Sequence, residues 1–256
     1  MLNLPKPKLG DVTGITLSTP DLDKSIEFYK KLGFSVSWRI DMPFPLVQLT
    51  DGALLLLLRL DTAPYFALSF FVKELERVVS EVEASGIVFF QKPKESDFVK
   101  RYLMRSPDGL TISLVNLGEG FVQPAGPTML TMPQEDYFNP EKYVNKVCGM
   151  FGELAHPVED LEKSLSFWKN LGFAVLSKFT SPYPWAILSD GLAIVGLHQT
   201  KNTSYPAITF FAADMKAKIE KLKSLGLKDV TESGALGNVV LTTPEKQHIN
   251  LFTLGM

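Results

Sequence analysis

At 256 residues the chain has room for two domains of ordinary size. Its 26 Lys and Arg against 28 Asp and Glu leave a formal charge of −2, with no basic surplus for nucleic acid or an anionic membrane. A single cysteine, Cys148, excludes an internal disulfide and fits a reducing, cytoplasmic setting, and the opening "MLNLPKPKLG" lacks the apolar core of a signal peptide.

Residues 12–19 read as a strand that leads into "DLDKSIEFYKKLGF", from Asp21 to Phe34. Asp21 is placed to cap a helix whose apolar face is Leu22, Ile26 and Tyr29, and Asp23 complements the positive end of its dipole. Gly33 is the left-handed stop, with Phe34 folding back on Tyr29 as in a Schellman motif. Strands follow near 34–40, 45–50 and 53–60. The last, "ALLLLLRL", is far shorter than the ~20 residues a membrane helix needs and reads as a strand buried on both faces. The cycle restarts with a strand at 67–72, a helix near 74–85 carrying Leu75, Val78, Val79 and Val82, and strands near 87–91, 100–105 and 110–117.

The stretch 119–144 is rich in proline and poor in periodicity, and reads as a connection. Beyond it the plan is written again. "DLEKSLSFWKNLGF", Asp160 to Phe173, repeats the first helix at an offset of 139. Pro43-Phe44-Pro45 recurs as Pro182-Tyr183-Pro184 and Asp51-Gly52 as Asp190-Gly191 at the same offset, while "ALSFFVKEL" answers to "AITFFAADM". Indels this small over a whole half mean duplicated domains, here 8–118 and 145–256.

The pattern "DLxKSxxFYxxLGF" after a strand, in paired strand–helix–three-strand modules, resembles the vicinal oxygen chelate superfamily of glyoxalases, bleomycin-resistance proteins and extradiol dioxygenases. The resemblance implies an α+β fold of four βαβββ modules, in two domains that each form an incomplete barrel around a cup. It also implies a divalent metal held by side chains of the first and last strands of the modules. Carried over residue by residue, those positions are Gly14, about Leu56, Ala67 and Ser113 in the first half, and Glu153, about Val195, Ala207 and Asn250 in the second. One carboxylate and one amide are fewer than the three protein ligands of a catalytic metal site, and the 2-His-1-carboxylate set of the dioxygenases is absent. No metal and no other cofactor is therefore expected.

All three histidines, His156, His198 and His248, lie in the second half. Glu153, in a strand that is otherwise apolar, is a candidate general base, and His248 shares strand parity with Asn250 and joins it as a second catalytic candidate. Parity sets His156 on the opposite side from Glu153 and leaves His198, near its strand end, open. Asn250, Trp185, Tyr183 and Phe210 are the candidate ligand-binding residues of an aromatic-lined cup. The leading expectation is metal-independent binding of a small apolar or aromatic molecule in the second cup. A glyoxalase- or lyase-like enzyme using Glu153 and a non-catalytic scaffold stand as alternatives, and the oligomeric state is open.

Overall fold

The computed structural model describes residues 4–42, 44–97, 99–227, 230–233 and 238–254, so Pro43 of the Pro-Phe-Pro repeat lies outside it. The first half contains β1 (Val12–Thr19), α1 (Leu22–Lys31), β2 (Ser35–Ile40), β3 (Leu46–Thr50), β4 (Leu55–Leu60), β5 (Phe66–Val72), α2 (Leu75–Ala84), β6 (Arg101–Arg105) and β7 (Thr111–Asn116). The second contains β8 (Met150–Pro157), α3 (Leu161–Asn170), β9 (Ala174–Phe179), β10 (Trp185–Ser189), β11 (Ile194–His198), β12 (Ala207–Ala212), α4 (Met215–Ser224), β13 (Val230–Ser233), β14 (Asn238–Thr242) and β15 (His248–Thr253). They form two unclosed mixed sheets, ordered β2-β3-β4-β1-β5-β7-β6 and β13-β14-β15-β12-β8-β11-β10-β9. In each sheet the two module-opening strands, β1 with β5 and β8 with β12, pair antiparallel at the centre, so each cup joins the two modules of its own half.

The helix signals act as read. Asp21 Oδ1 accepts from the Lys24 N–H at 3.0 Å, Gly33 has φ +87°, and the Phe34 N–H donates to the Tyr29 carbonyl at 3.0 Å. Asp160, Gly172 and the Phe173–Trp168 bond repeat this in α3. The expected double burial of β4 is also present, with Leu55, Leu56, Leu57 and Leu58 all at most 2% exposed. One strand is not formed: residues 87–91 keep a single bridge, Gln91 to Leu103. Val88 and Phe90 point to solvent there and only Phe89 is buried, so the segment has no second row of apolar contacts to hold it in the sheet.

The alternation of each strand sorts its side chains. Ile15, Leu17, Leu56, Phe70, Ile112, Leu154, Val195, Phe210 and Ile249 join one continuous core that runs through both halves. The opposite face of each sheet is the cup. The halves also exchange straps. The segment before β1 lies on the second half, where a Cβ on Gly191 would overlap the Pro5 carbonyl and one on Gly172 would lie 2.8 Å from the Lys8 side chain. The segment before β8 lies on the first half, where Asn145 Nδ2 donates to the Leu32 carbonyl and to Asp51 Oδ2, both at 3.0 Å.

Asp51 and its repeat Asp190 differ in one respect. Both are buried and accept two backbone N–H bonds each, yet Asp190 Oδ2 has no partner where Asp51 Oδ2 has Asn145. Burial raises the Asp190 carboxyl above the ordinary 3.8, more than the Ala193 and Leu192 N–H groups lower it. A raised folded-state value means the native chain holds a proton that the unfolded chain has released. Stability must therefore fall as pH rises from about 4 through the raised value. Asp190→Asn is expected to raise the melting temperature at pH 7 and to leave it nearly unchanged at pH 4, measured as the difference from wild type. Taking the difference cancels the acid loss from His156, which burial holds down to about 4. Equal gains at both pH values would refute the assignment.

Candidate functional site

The two cups have diverged. In the first, the polar residues Thr16, Ser69 and Ser113 close on one another, with Ser69 Oγ 2.7 Å from both other hydroxyls, so three central strands are tied. Above them the connection folds back. Phe121 packs at a tilt on Phe71 at 4.4 Å and against Trp38 at 5.9 Å, and Gln123 Oε1 accepts from the Thr13 N–H. The cup is filled by its own chain, with Val12, Leu55, Leu57, Phe71 and Val115 buried beneath Phe121. At the other end Tyr65 lies between the guanidinium groups of Arg59 and Arg101.

The second cup has no such plug among the described residues. Thr209 pairs with Glu153 across β12 and β8, and with Asn250 across β15, so all three share the cup face. Asn250 Nδ2 donates to Thr209 Oγ1 at 3.2 Å. Glu153 Oε1 lies 2.8 Å from His198 Nε2, and His198 Nδ1 lies 3.3 Å from the Tyr183 hydroxyl. Trp185 stacks parallel to the imidazole at 5.7 Å and against Phe179 at 4.2 Å. The other oxygen, Glu153 Oε2, is buried without a hydrogen-bond partner. Burial and the charge of Glu153 both raise the Tyr183 hydroxyl above its ordinary value, so it stays a donor.

This arrangement depends on Gly196. A Cβ there would overlap the Glu153 carboxylate, so the glycine is the notch in β11 that lets a charged side chain lie flat across the sheet. The first half has the reverse pair at the matching positions, Gly14 and Leu57.

Of the residues expected at the site, Glu153, Tyr183 and Trp185 come together around His198, and Asn250 stands beside them on Thr209. His248 does not join Glu153. It lies two strands away on β15, stacked on Tyr205 at 3.7 Å, and the imidazole that reaches Glu153 belongs to the adjacent strand β11. Phe210 is corrected outright: it is fully buried in the core between Phe34 and Phe151, and its neighbour Phe211 faces the cup. The reason is alternation, because only every second residue of β12 can share the face of Thr209. The first-module ligand positions, set within one residue at Leu56 and Val195, lie in the core, and the cup-facing neighbours are Leu57 and Gly196. His156 faces away from Glu153 as parity required, 3.3 Å from Ser106 Oγ of the other half. The sequence signal for His198 was the glycine two residues before it, in a strand whose other face is Val195 and Leu197.

Residues 12–114 match the model of the Glyoxalase/Bleomycin resistance protein/Dioxygenase superfamily. That match lies within the first half of the chain. The likeness in fold extends over both halves. It includes the 2,3-dioxygenase LapB from Pseudomonas sp. KL28, at 15% identity and TM-score 0.61, over 97% of this chain and 94% of that one. Homoprotocatechuate 2,3-dioxygenase from Arthrobacter globiformis aligns at 16% identity and TM-score 0.64, over 98% and 82%. An extradiol ring-cleaving dioxygenase from B. fuscum aligns at 16% identity and TM-score 0.62, over 97% and 73%. Identity this low shows a likeness of fold and no more. No curated protein sequence matches the chain.

The donors that the resemblance places in the second cup are already engaged with protein partners. Glu153 and His198 bind one another, Asn250 is an amide bonded to Thr209, and no group of three His, Cys, Asp or Glu able to hold a metal occurs among the described residues. EDTA is expected to leave the melting temperature unchanged, and elemental analysis to find well under one zinc, nickel or iron per chain. A tight stoichiometric metal would overturn that reading. No helix among the described residues is long and apolar enough to cross a membrane.

Proposed function

We propose that the chain binds a small, flat, largely apolar molecule in its second cup, without a metal, and that the first domain is mainly structural. The observation that carries this is the contrast between the cups: Phe121 fills the first, while Trp185, Tyr183 and His198 remain partly exposed around a buried carboxylate in the second. The aromatic groups supply burial worth roughly 25 cal/mol per Å² of apolar surface covered, and Glu153, His198 and Asn250 supply orientation. The lone, buried Cys148 suits a reducing compartment such as the cytoplasm.

Calorimetric titration with a panel of monocyclic phenols and aryl amines tests the proposal. Trp185→Ala and Glu153→Ala are each expected to weaken the best binder at least about 10-fold, or about 1.4 kcal/mol, and Ser113→Ala to leave it unchanged. Equal losses from both halves, or a ligand found between Trp38 and Phe71, would show that the wrong cup was chosen.

The pairing of Glu153 with an imidazole favours one second reading, a metal-free enzyme of lyase or isomerase type. Turnover that Glu153→Gln abolishes while binding survives would separate it from sequestration.

A further inference from the structure

Two hydrogen bonds meet on the His198 ring, and they are unequal. Nε2 lies 2.8 Å from Glu153 Oε1, while Nδ1 lies 3.3 Å from the Tyr183 hydroxyl, long for an O–H donor. An ionised carboxylate can only accept, so it holds a proton on Nε2 and leaves a lone pair on Nδ1. Ring orientation is constrained further by Trp185, whose plane lies 7° from that of the imidazole. The Glu153 side chain is 6% exposed and the imidazole 16%, so a molecule entering the cup meets the ring before the carboxylate.

We infer that His198 Nδ1 is the hydrogen-bond acceptor of the second cup, that Glu153 is its positioning residue and not the base, and that the ligand carries a hydroxyl or N–H donor which displaces the Tyr183 hydroxyl. The inference rests on the reading of this cup as the binding site. Glu153 is held to this task from both sides: Gly196 gives its carboxylate room, and the imidazole is its one bonded partner among the described residues. A donor that outcompetes the 3.3 Å contact gains a bond to a nitrogen that is otherwise poorly used. Should the ligand's proton move, it passes from the ligand oxygen or nitrogen to Nδ1, and the Glu153 carboxylate balances the resulting imidazolium.

Nitrogen-15 NMR of histidine-labelled, ligand-free full-length protein at neutral pH tests the proton placement directly. The expected spectrum has a proton on Nε2 of His198 and none on Nδ1, and Glu153→Gln should lose that single tautomer. A proton on Nδ1 in the wild type, or a tautomer indifferent to Glu153→Gln, would overturn the assignment. Phenol and anisole, which differ in the donor, test the ligand class. Phenol should bind at least about 10-fold more tightly than anisole in wild type and in Tyr183→Phe, and the preference should vanish in His198→Phe. Equal affinities in the wild type would overturn the donor requirement. If neither probe binds while the proton sits on Nε2, the cup is not a site for aryl ligands but the assignment of His198 stands.

Discussion

Phe210→Ala should lower the stability of the chain by about 3–5 kcal/mol in a urea titration, the range for removing a fully buried phenylalanine. Phe210 makes edge contacts with Phe34 of the first half at 6.4 Å and Phe151 of β8 at 6.1 Å, so the cavity opens where the halves meet and cannot collapse onto one flexible neighbour. The transition should remain single, because the two halves share a continuous core. A loss under about 1 kcal/mol would place the side chain on a surface, as a ligand-facing residue requires. Two separated transitions would instead show that the shared core does not couple the halves.

Gly196→Leu is the second large effect. The new side chain must occupy the space of the Glu153 carboxylate, which would break the 2.8 Å bond to His198 and strand a charge in a buried place. Overpacking and the displaced carboxylate together should cost about 2–3 kcal/mol. Adding Glu153→Gly in the same chain reproduces the Gly14 and Leu57 combination of the first half, and should return about 1–2 kcal/mol of that loss. The double variant should still fold but bind no ligand in its second cup. Strict additivity of the two substitutions would mean that the glycine and the carboxylate are independent.

The repeat made much of the fold legible. Asp21 and Asp160, Gly33 and Gly172, and the apolar rows of α1 and α3 all act locally, within one turn of helix, so the residues that carry the signal also carry the structure. The cup is harder to read because it depends on registers between strands far apart in sequence. Asn250 and Thr209 stand in register across parallel strands, which assigns 209 and 211 to the cup and 210 to the core, yet neither residue alone reveals that partnership. Glu153 was legible as an odd carboxylate in an apolar strand. Its partner was not, since choosing His198 over His248 requires knowing that β11 and not β15 lies beside β8. The filling of the first cup by Phe121 was hidden for the same reason, in a segment without periodicity.

The crossed straps have a consequence for how such a chain can change. Asn145 grips the first half and Pro5 and Lys8 cover the second, the arrangement that two separate copies would make by exchanging arms around a two-fold axis. In a symmetric pair of separate copies, every substitution appears at both sites, so a cup could not be sealed in one without being sealed in the other. Tethering the copies lifts that obligation while keeping the geometry of the pair. One copy is then free to trade its opening for rigidity, and the other can keep a charged side chain that would be a liability if it were doubled.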